Sequence, residues 1–196
     1  MIWAIILAAG ESKRMGKPKL LLPFGDKTII ETVVQIVIDS KVDETLVVLG
    51  SDWKEIEKKI RRFPLKISVN PDFQKGMLSS VKWGFKKIPE DTRAVLVTLG
   101  DQPSVSTNVI NKVIETFNST EKGIVLPVYD KNRGHPVLID MKYRGEVEAL
   151  SPDVGLRELV YSHSEDLLEV EVKTSSVLQD IDDKEDYESE LLKRKK

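Results

Sequence analysis

Short apolar runs alternate with segments of helical periodicity along most of this chain, and that alternation restricts the fold more than any other feature. Ile2–Leu7 is a continuous apolar run, as expected of a strand that is buried on both faces of a parallel sheet. The apolar positions of Thr28–Ser40 recur at helical spacing, and Thr45–Leu49 is again a continuous apolar run. Strands that alternate with helices in this way form right-handed βαβ units. The sequence therefore predicts an α/β fold with an open, mostly parallel sheet and helices on both faces.

The remaining elements continue the same pattern. Further strands are predicted at Lys66–Val69, Ala94–Leu99, Ile124–Val128, Pro136–Ile139 and Leu168–Val172. Further helices are predicted at Asp52–Arg62, Leu78–Ile88, Val109–Phe117, Lys142–Leu150, Asp153–Ser162 and Lys184–Leu192. A chain of 196 residues with this pattern corresponds to a single domain. We expect that domain to comprise residues 1–192, followed at 193–196 by a short basic tail that is frayed and solvated.

Composition excludes several classes of function. The 30 Lys and Arg residues are balanced by 32 Asp and Glu residues, and the formal net charge of −2 disfavours binding of nucleic acid to a basic surface. The absence of cysteine excludes disulfides, thiolate metal sites and a cysteine nucleophile. The apolar start Ile2–Ala9 is too short to span a membrane and lacks the basic flank of a signal peptide. We therefore expect a cytoplasmic protein with no nucleic acid or membrane partner.

A loop rich in small and basic residues follows the first predicted strand. Residues 8–19 contain two glycines and four cations. In an open α/β sheet, ligands bind beyond the carboxyl ends of the parallel strands. Small residues let the backbone approach an anion closely, while Lys and Arg neutralise its charge. The loop is therefore typical of a polyphosphate-binding site, and the alternative is a solvated basic loop that binds no ligand.

Two established phosphate-binding motifs do not match this loop. A Walker A motif has four residues between its glycines, whereas five residues separate Gly10 from Gly16. It also has Ser or Thr after its lysine, but Pro18 follows Lys17. A dinucleotide fingerprint leads directly into a helix, which Pro18 and Pro23 prevent here. A P-loop and an NAD-binding loop are both disfavoured.

Carboxylates follow two of the predicted strands. Asp101 comes just after Ala94–Leu99, and Asp180, Asp182 and Asp183 follow the last predicted strand. A divalent cation that bridges such carboxylates and the phosphates of a substrate would complete a phosphoryl-transfer site. The alternative is that these aspartates are turn residues or helix N-caps. Among the later three we favour Asp182 as the metal ligand, with Asp180 or Asp183 as the alternatives.

Five blocks of sequence, in order, resemble the nucleotidyltransferases related to molybdenum cofactor cytidylyltransferase. The blocks are Leu7–Gly16 with Lys19–Gly25, Asn70–Ser80, Gly100–Pro103, Arg133–Val137, and Asp180–Asp182 with Glu185–Tyr187. The resemblance implies transfer of a nucleotidyl group from CTP or another NTP to a phosphorylated acceptor, with release of pyrophosphate. It also implies Mg²⁺ as the cofactor. Ala9 occupies the position at which GTP-directed relatives carry glycine, which favours CTP.

The same resemblance implies roles for individual residues. Catalytic roles are expected for Arg14, Lys19 and Asp101, and magnesium is expected on Asp101 and Asp182. The nucleotide is expected to bind Leu7, Ala8, Ala9, Gly10, Ser12, Arg14, Lys19, Asn70, Gly76, Ser79 and Ser80. The acceptor is expected to bind Gln102, Gly134, His135 and Pro136. A purely structural role remains the alternative for His135.

The expected activity is therefore transfer of CMP from CTP to a phosphorylated small molecule. Molybdopterin is the first candidate for the acceptor, and a molybdoenzyme or its maturation factor is a candidate partner. One alternative keeps the nucleotidyl transfer but changes the acceptor to the phosphate of a sugar, a polyol or a small acid. Another is an accessory protein that binds a nucleotide or a cofactor without turnover.

Overall fold

A computed structural model describes residues 1–194 of the chain. The strands are β1 (Ile2–Ala8), β2 (Pro23–Phe24), β3 (Lys27–Thr28), β4 (Glu44–Leu49), β5 (Lys66–Val69), β6 (Ala94–Leu99), β7 (Ile124–Tyr129), β8 (Asn132–Arg133), β9 (Val137–Asp140) and β10 (Leu167–Glu171). The helices are α1 (Ile29–Ile38), α2 (Trp53–Ile60), α3 (Met77–Lys87), α4 (Thr107–Asn118), α5 (Arg144–Ala149), α6 (Arg157–Ser162) and α7 (Lys184–Arg194).

The main sheet has the strand order β10-β7-β9-β6-β1-β4-β5, with β8 paired to β7. The pairs β1–β4, β1–β6, β4–β5 and β7–β10 are parallel, and β9 is antiparallel to both of its neighbours. One hydrophobic core includes residues of α1, α2 and α4, and a second includes residues of α3, α5 and α6. The prediction of one domain with an open, mostly parallel sheet covered on both faces is confirmed.

β1 lies at the centre of the sheet and contributes to both cores. Its residues alternate between them, with Ala4 and Ile6 in one core and Trp3 and Ile5 in the other. This alternation follows from the two-residue period of a strand. Because β1 is covered on both faces, a ligand can approach it only at its ends, and its carboxyl end leads into the loop of residues 8–19.

The direction of β9 was not predicted, and a local turn accounts for it. Asp130 and Lys131, between β7 and β8, both have positive φ, at 47° and 64°. Two consecutive residues of this kind form the turn that closes a two-residue hairpin. After the turn the chain runs back along β7. β8 pairs with one end of β7 and β9 pairs with its other end, and Gly134–Pro136 separate β8 from β9. β8 and β9 therefore both run antiparallel to β7.

The last third of the chain differs from the sequence-based prediction at several helix ends. α5 spans Arg144–Ala149 instead of the predicted Lys142–Leu150, because Met141–Tyr143 form a 3₁₀ turn before it. α6 begins at Arg157, whereas the predicted helix began at Asp153. The backbone N–H groups of Val154 and Glu158 donate to the carbonyls of Ser151 and Gly155, so the segment before α6 forms turns instead of a continuous helix.

α7 continues to Arg194, two residues beyond the predicted end, and residues 195 and 196 of the predicted tail lie outside the described residues. Within residues 1–194, no helix is both long enough and apolar enough to cross a membrane.

Candidate functional site

A cavity of about 300 Å³ lies beyond the carboxyl ends of β1 and β6. Residues 7–11 form one wall, and Lys19 and Leu20 form the next. Phe73 and Gly76, in the turn before α3, close the opposite side. Asp101 and Asp182 complete the lining. The cavity therefore occupies the position at which open α/β sheets bind ligands.

The loop after β1 folds back on itself, and this brings Lys19 to the cavity. Ser12 has a φ of +52°, in the left-handed region. Its carbonyl accepts from the backbone N–H of Met15 at 3.0 Å, and its side-chain hydroxyl accepts from the backbone N–H of Lys19 at 3.1 Å. A 3₁₀ turn at Lys19–Leu21 follows, with Leu20 buried beneath it. Ser12 thus fixes the backbone of Lys19 without touching its ammonium group.

Four predicted site residues form one cluster of ion pairs. The Nζ atom of Lys19 lies 2.6 Å from Oδ2 of Asp101 and 3.0 Å from Oδ1 of Asp182. A guanidinium nitrogen of Arg14 lies 2.6 Å from the other carboxylate oxygen of Asp182. The Lys19 side chain is only 11% exposed, whereas that of Arg14 is 67% exposed. The cluster therefore has a buried end at Asp101 and an open end at Arg14.

The charges in this cluster change one another's pKa values. Burial alone would lower the pKa of Lys19, but Asp101 and Asp182 outweigh it and raise that pKa above its usual value. Burial also opposes ionisation of Asp182, but hydrogen bonds from Lys19 and Arg14 hold its pKa below the usual range. Burial raises the pKa of Asp101 despite the neighbouring Lys19. Lys19 is thus a fully charged cation that is held mainly by carboxylates.

Asp182 reaches the cluster because its loop is fastened to the segment that follows β6. The backbone N–H of the buried Ile181 donates to the carbonyl of Asp101 at 3.0 Å. The carboxylate of Asp186 accepts from the backbone N–H groups of Asp182 and Asp183 at 3.0 and 3.2 Å. Asp183 in turn accepts from the backbone N–H of Asp186 at 3.0 Å. Asp183 therefore caps α7, and Asp182 is left to face the cavity.

Asp180, the remaining alternative to Asp182, has a different partner. Its Oδ1 atom accepts a hydrogen bond from the side-chain amide of Gln102 at 3.2 Å. Of the three late aspartates, Asp182 is the one that shares a cation with Asp101.

The arrangement of Asp101 and Asp182 fits a hard divalent cation. Their carboxylates converge on one point, where the Lys19 ammonium now lies. Mg²⁺ is commonly held by one or two carboxylates together with substrate phosphates and water. Among residues 1–194, no group of three or more His, Cys, Asp or Glu side chains could hold a metal alone. A metal at this point would therefore have two protein ligands, and water or the phosphate oxygens of a substrate would complete its coordination.

The predicted nucleotide-binding residues fall into two groups. Leu7, Ala8, Ala9, Gly10, Lys19, Gly76 and Ser80 line the cavity, and Ser12 and Arg14 belong to the loop at its edge. Asn70 and Ser79 lie behind that wall and line a neighbouring cavity of about 210 Å³. The buried amide of Asn70 donates to the hydroxyls of both Ser79 and Ser80 at 3.0 Å. Asn70 therefore organises the turn that presents Ser80 to the cavity.

The predicted acceptor residues lie outside the lining of both cavities. Gln102 is 3% exposed, and Gly134 and Pro136 are also buried. The backbone N–H of His135 donates to the carbonyl of Val177 at 3.0 Å. Burial lowers the pKa of the His135 imidazole, which keeps it neutral near pH 7. Within the described chain, His135 Nδ1 and Gln102 Oε1 are buried polar atoms without a hydrogen-bond partner.

Sequence reasoning missed several cavity residues. Glu11, Leu20, Phe73, Gln74, Met77 and Leu99 line the cavity but were not predicted as site residues. Three of them lie inside the block Asn70–Ser80, so their neighbourhood was identified while their roles were not. Phe73 also packs against Gly50, where an added Cβ atom would lie 2.6 Å from the Phe73 Cβ. Phe73, Met77 and Leu99 are apolar and Gln74 is a neutral amide, so none of the four carries a clear chemical signature in a sequence. Position within the block could have found three of them, but Leu99 lies outside it.

Comparison with known protein families and sequences gives matches over most of the chain. A family model described as a MobA-like NTP transferase domain matches residues 4–167. The molybdenum cofactor cytidylyltransferase of Escherichia coli is 27% identical over 93% of this chain and 92% of its own length. The nicotine blue oxidoreductase of Paenarthrobacter nicotinovorans is 30% identical over 80% of this chain and 79% of its own length.

Solved structures match the fold over nearly its full extent. The protein Rv0371c of Mycobacterium tuberculosis superposes with a TM-score of 0.88 at 26% sequence identity, over 97% of each chain. A second structure of Rv0371c, in complex with manganese, gives a TM-score of 0.82 at 24% identity, again over 97% of each chain.

Proposed function

Since this chain belongs to the family of MobA-like NTP transferase domains, we propose that it transfers CMP from CTP to a phosphorylated small molecule with Mg²⁺ as cofactor. Family membership makes the chain a nucleotidyltransferase, and the choice of nucleotide, acceptor and metal is the proposed part. The observation that carries the proposal is the convergence of Lys19, Arg14, Asp101 and Asp182 on one cavity. Cations for a triphosphate and carboxylates for a metal are together what such a transfer requires.

The reaction joins two anions, so positioning and charge neutralisation are the protein's main tasks. An oxygen of the acceptor phosphate forms a bond to the α-phosphorus of CTP. The bond from that phosphorus to the bridging α–β oxygen breaks, and its electron pair leaves with pyrophosphate. The backbone of residues 7–10 holds the base and the ribose, while Arg14 and Lys19 bind the triphosphate.

Asp101 and Asp182 would hold Mg²⁺ against the phosphates, where the metal supplies charge stabilisation in the transition state. No strong general base is needed, because the acceptor phosphate is already ionised near neutral pH. The cavity lining is consistent with a reaction that needs no such base, since neither of the two histidines is among the residues that line it. Its acidic members are Glu11, Asp101 and Asp182.

For the acceptor we favour molybdopterin, because the Escherichia coli relative named for molybdenum cofactor chemistry aligns over 93% of this chain. Gln102, Gly134, His135 and Pro136 are the residues proposed to bind it. The buried, unpartnered polar atoms of Gln102 and His135 support a role in recognition of a polar group. A molybdoenzyme or its maturation factor in the cytoplasm would be the partner that receives the product.

A panel of substrates tests this function. Pyrophosphate release is measured with CTP, GTP, ATP and UTP against molybdopterin and the phosphates of a sugar, a polyol and a small acid, each with and without Mg²⁺. We expect release that needs CTP, molybdopterin and Mg²⁺ together. Release with another acceptor would replace molybdopterin and keep the nucleotidyl transfer. Tight nucleotide binding with no pyrophosphate from any acceptor would identify an accessory protein and reject catalysis.

A further inference from the structure

We propose that Lys19 exchanges partners during the reaction cycle. In the free protein its ammonium serves as the counter-ion of Asp101 and Asp182, and when the nucleotide binds it moves to the phosphates and leaves both carboxylates to the metal. This inference rests on the proposed function, because it needs a site that takes both a triphosphate and a divalent cation.

Lys19 occupies the position that a metal shared by Asp101 and Asp182 would need. Its Nζ atom donates to Asp101 at 2.6 Å and to Asp182 at 3.0 Å. Both carboxylates are directed at this one nitrogen, and a cation that they share must lie between them. An ammonium group and a divalent cation cannot occupy that place together. Lys19 therefore competes with the metal for as long as it stays there.

Charge balance gives the exchange its direction. Lys19 and Arg14 together carry two positive charges, and Asp101 and Asp182 carry two negative charges, so the cluster is neutral when all four are ionised. A triphosphate attracts both cations, because each can form charge-assisted hydrogen bonds with phosphate oxygens. Their departure would leave two carboxylates together without a counter-ion. Asp101 and Asp182 would then hold a divalent cation that binds with the nucleotide, and its charge would offset this repulsion.

The local structure lets the Lys19 ammonium move while its backbone stays fixed. The bond from its backbone N–H to Ser12 and the burial of Leu20 hold the turn in place. The lysine side chain has a flexible four-carbon stem, and Lys19 already lines the cavity that the nucleotide would fill. A rotation of this side chain is enough to change its partner from carboxylate to phosphate.

A direct test measures metal binding in the absence of nucleotide. Mn²⁺ is titrated into the nucleotide-free wild type and into Lys19→Met, and free Mn²⁺ is followed by its electron paramagnetic resonance signal. We expect Lys19→Met to bind Mn²⁺ at least roughly tenfold more tightly, because the competing cation is gone. Lys13→Met is the matched control, since Lys13 is in the same loop, is 78% exposed and pairs with Glu11. It should bind Mn²⁺ as the wild type does.

The gain must come from the two carboxylates, and a double variant checks this. Asp101→Asn combined with Lys19→Met should lose the tighter binding. Lys19→Gln, whose amide is uncharged, serves as a second variant if Lys19→Met does not fold. If neither folds, acetylation of the wild type by acetic anhydride is compared at Lys19 and Lys13 by mass spectrometry. Saturating Mn²⁺ should then accelerate labelling of Lys19 relative to Lys13.

Equal Mn²⁺ affinity in the wild type and a folded Lys19 variant would overturn the proposal, as would labelling of Lys19 that does not respond to Mn²⁺. Pyrophosphate release by the wild type is measured separately. Turnover without a change in Mn²⁺ affinity would reject the partner exchange and keep the proposed function. A change in Mn²⁺ affinity without turnover on any substrate would reject the proposed function and keep the competition between Lys19 and the metal.

Discussion

The ammonium nitrogen of Lys19 lies 2.6 Å from a carboxylate oxygen of Asp101, although 82 positions separate the two residues in the sequence. The parallel pairing of β1 with β6 makes this contact possible, because it brings the carboxyl ends of both strands to the same edge of the sheet. The backbone N–H of Gly100 donates to the carbonyl of Leu7 at 2.9 Å and extends the pairing toward the site. The sheet therefore sets the distance between the two loops.

Asp101→Asn should lower kcat by about two orders of magnitude or more while the protein stays folded, because the loss falls on charge stabilisation in the transition state. Pyrophosphate release with CTP and Mg²⁺ measures the loss, and circular dichroism checks the fold. Asp91→Asn, at an exposed position far from the cavity lining, is the control and should retain normal turnover. Normal release by a folded Asp101→Asn would remove Asp101 from the metal site.

Arg14→Ala should reduce kcat/KM for CTP by about 10- to 100-fold, the range expected for a lost charged hydrogen bond. Its effect on stability should be small, because the Arg14 side chain is 67% exposed. Lys13→Ala removes a neighbouring cation that pairs with Glu11 instead, and steady-state kinetics should show little change. If both variants had the kinetics of the wild type, the basic loop would be a solvated surface that does not bind the nucleotide.

Ala9→Gly should shift the base preference toward GTP. Ala9 is 9% exposed and lines the cavity, so its methyl group occupies space next to the proposed base site. One methyl group discriminates by about 1–3 kcal/mol, or roughly 10- to 200-fold. We therefore expect the wild type to prefer CTP by a factor in this range and the variant to lose part of it. The measurement is kcat/KM for CTP and GTP at equal Mg²⁺, and equal use of both by the wild type would contradict the choice of CTP.

Glu31 should make stability depend on pH in the acid range. Burial alone would raise its pKa, but hydrogen bonds from Thr28 at 2.7 and 2.9 Å and the nearby Arg62 hold the pKa below its ordinary value of 4.5. A carboxyl with a lowered pKa in the folded state stabilises the fold above that ordinary value, and the contribution is lost as the pH falls through the lowered pKa.

Glu31→Gln should therefore reduce the free energy of unfolding by about 1 kcal/mol at pH 7, because glutamine can still cap Thr28 but loses the charged hydrogen bonds and the pairing with Arg62. Urea unfolding should show a smaller difference at pH 3. The exposed Glu115, which pairs with Lys41, provides the control variant Glu115→Gln, and its effect should be slight at both pH values. A difference for Glu31→Gln that grows toward acid pH would contradict a lowered pKa in the folded state.

Gly134→Ala should destabilise the fold by about 1–3 kcal/mol, the usual cost of overpacking. An added Cβ atom would collide with the carbonyl oxygen of Val177 and would lie 2.8 Å from its Cβ atom. Gly145 is exposed within α5 and has no atom within 4 Å of an added Cβ. Gly145→Ala should therefore stabilise by about 0.5–1 kcal/mol. Urea unfolding measures both, and a neutral Gly134→Ala would show that Val177 can move away.

Much of the fold could be predicted because local patterns determine it. Ala94–Leu99 was predicted with the bounds that the structure shows, since a fully buried strand leaves a nearly continuous apolar segment. The bounds of Lys66–Val69 were also predicted, although this edge strand alternates polar and apolar residues and none of them is fully buried. The direction in which a strand runs leaves no such local pattern in the sequence. Val137–Asp140 has the same apolar pattern whether it runs parallel or antiparallel, and the turn at Asp130 and Lys131 decides between them.

The candidate site could be predicted in its charged residues but not in their pairing. Arg14, Lys19, Asp101 and Asp182 were identified, yet no local pattern indicated that the four would neutralise one another. The sequence alone could not decide which of the late aspartates faces the cavity. The folded structure decides it, because Asp183 caps a helix that begins at Lys184. Contacts of this kind depend on loops that meet only after the sheet has formed.

The contact between Lys19 and Asp182 joins positions that are 163 residues apart. Closing so long a loop is slow relative to local helix formation, so this corner of the molecule should assemble late during folding. Local detachment of α7 would withdraw Asp182 and leave the central strands intact. Hydrogen exchange of the Ile181 amide, which is bonded to the Asp101 carbonyl, would then report the fraction of molecules that are folded while Asp182 is withdrawn from the cavity.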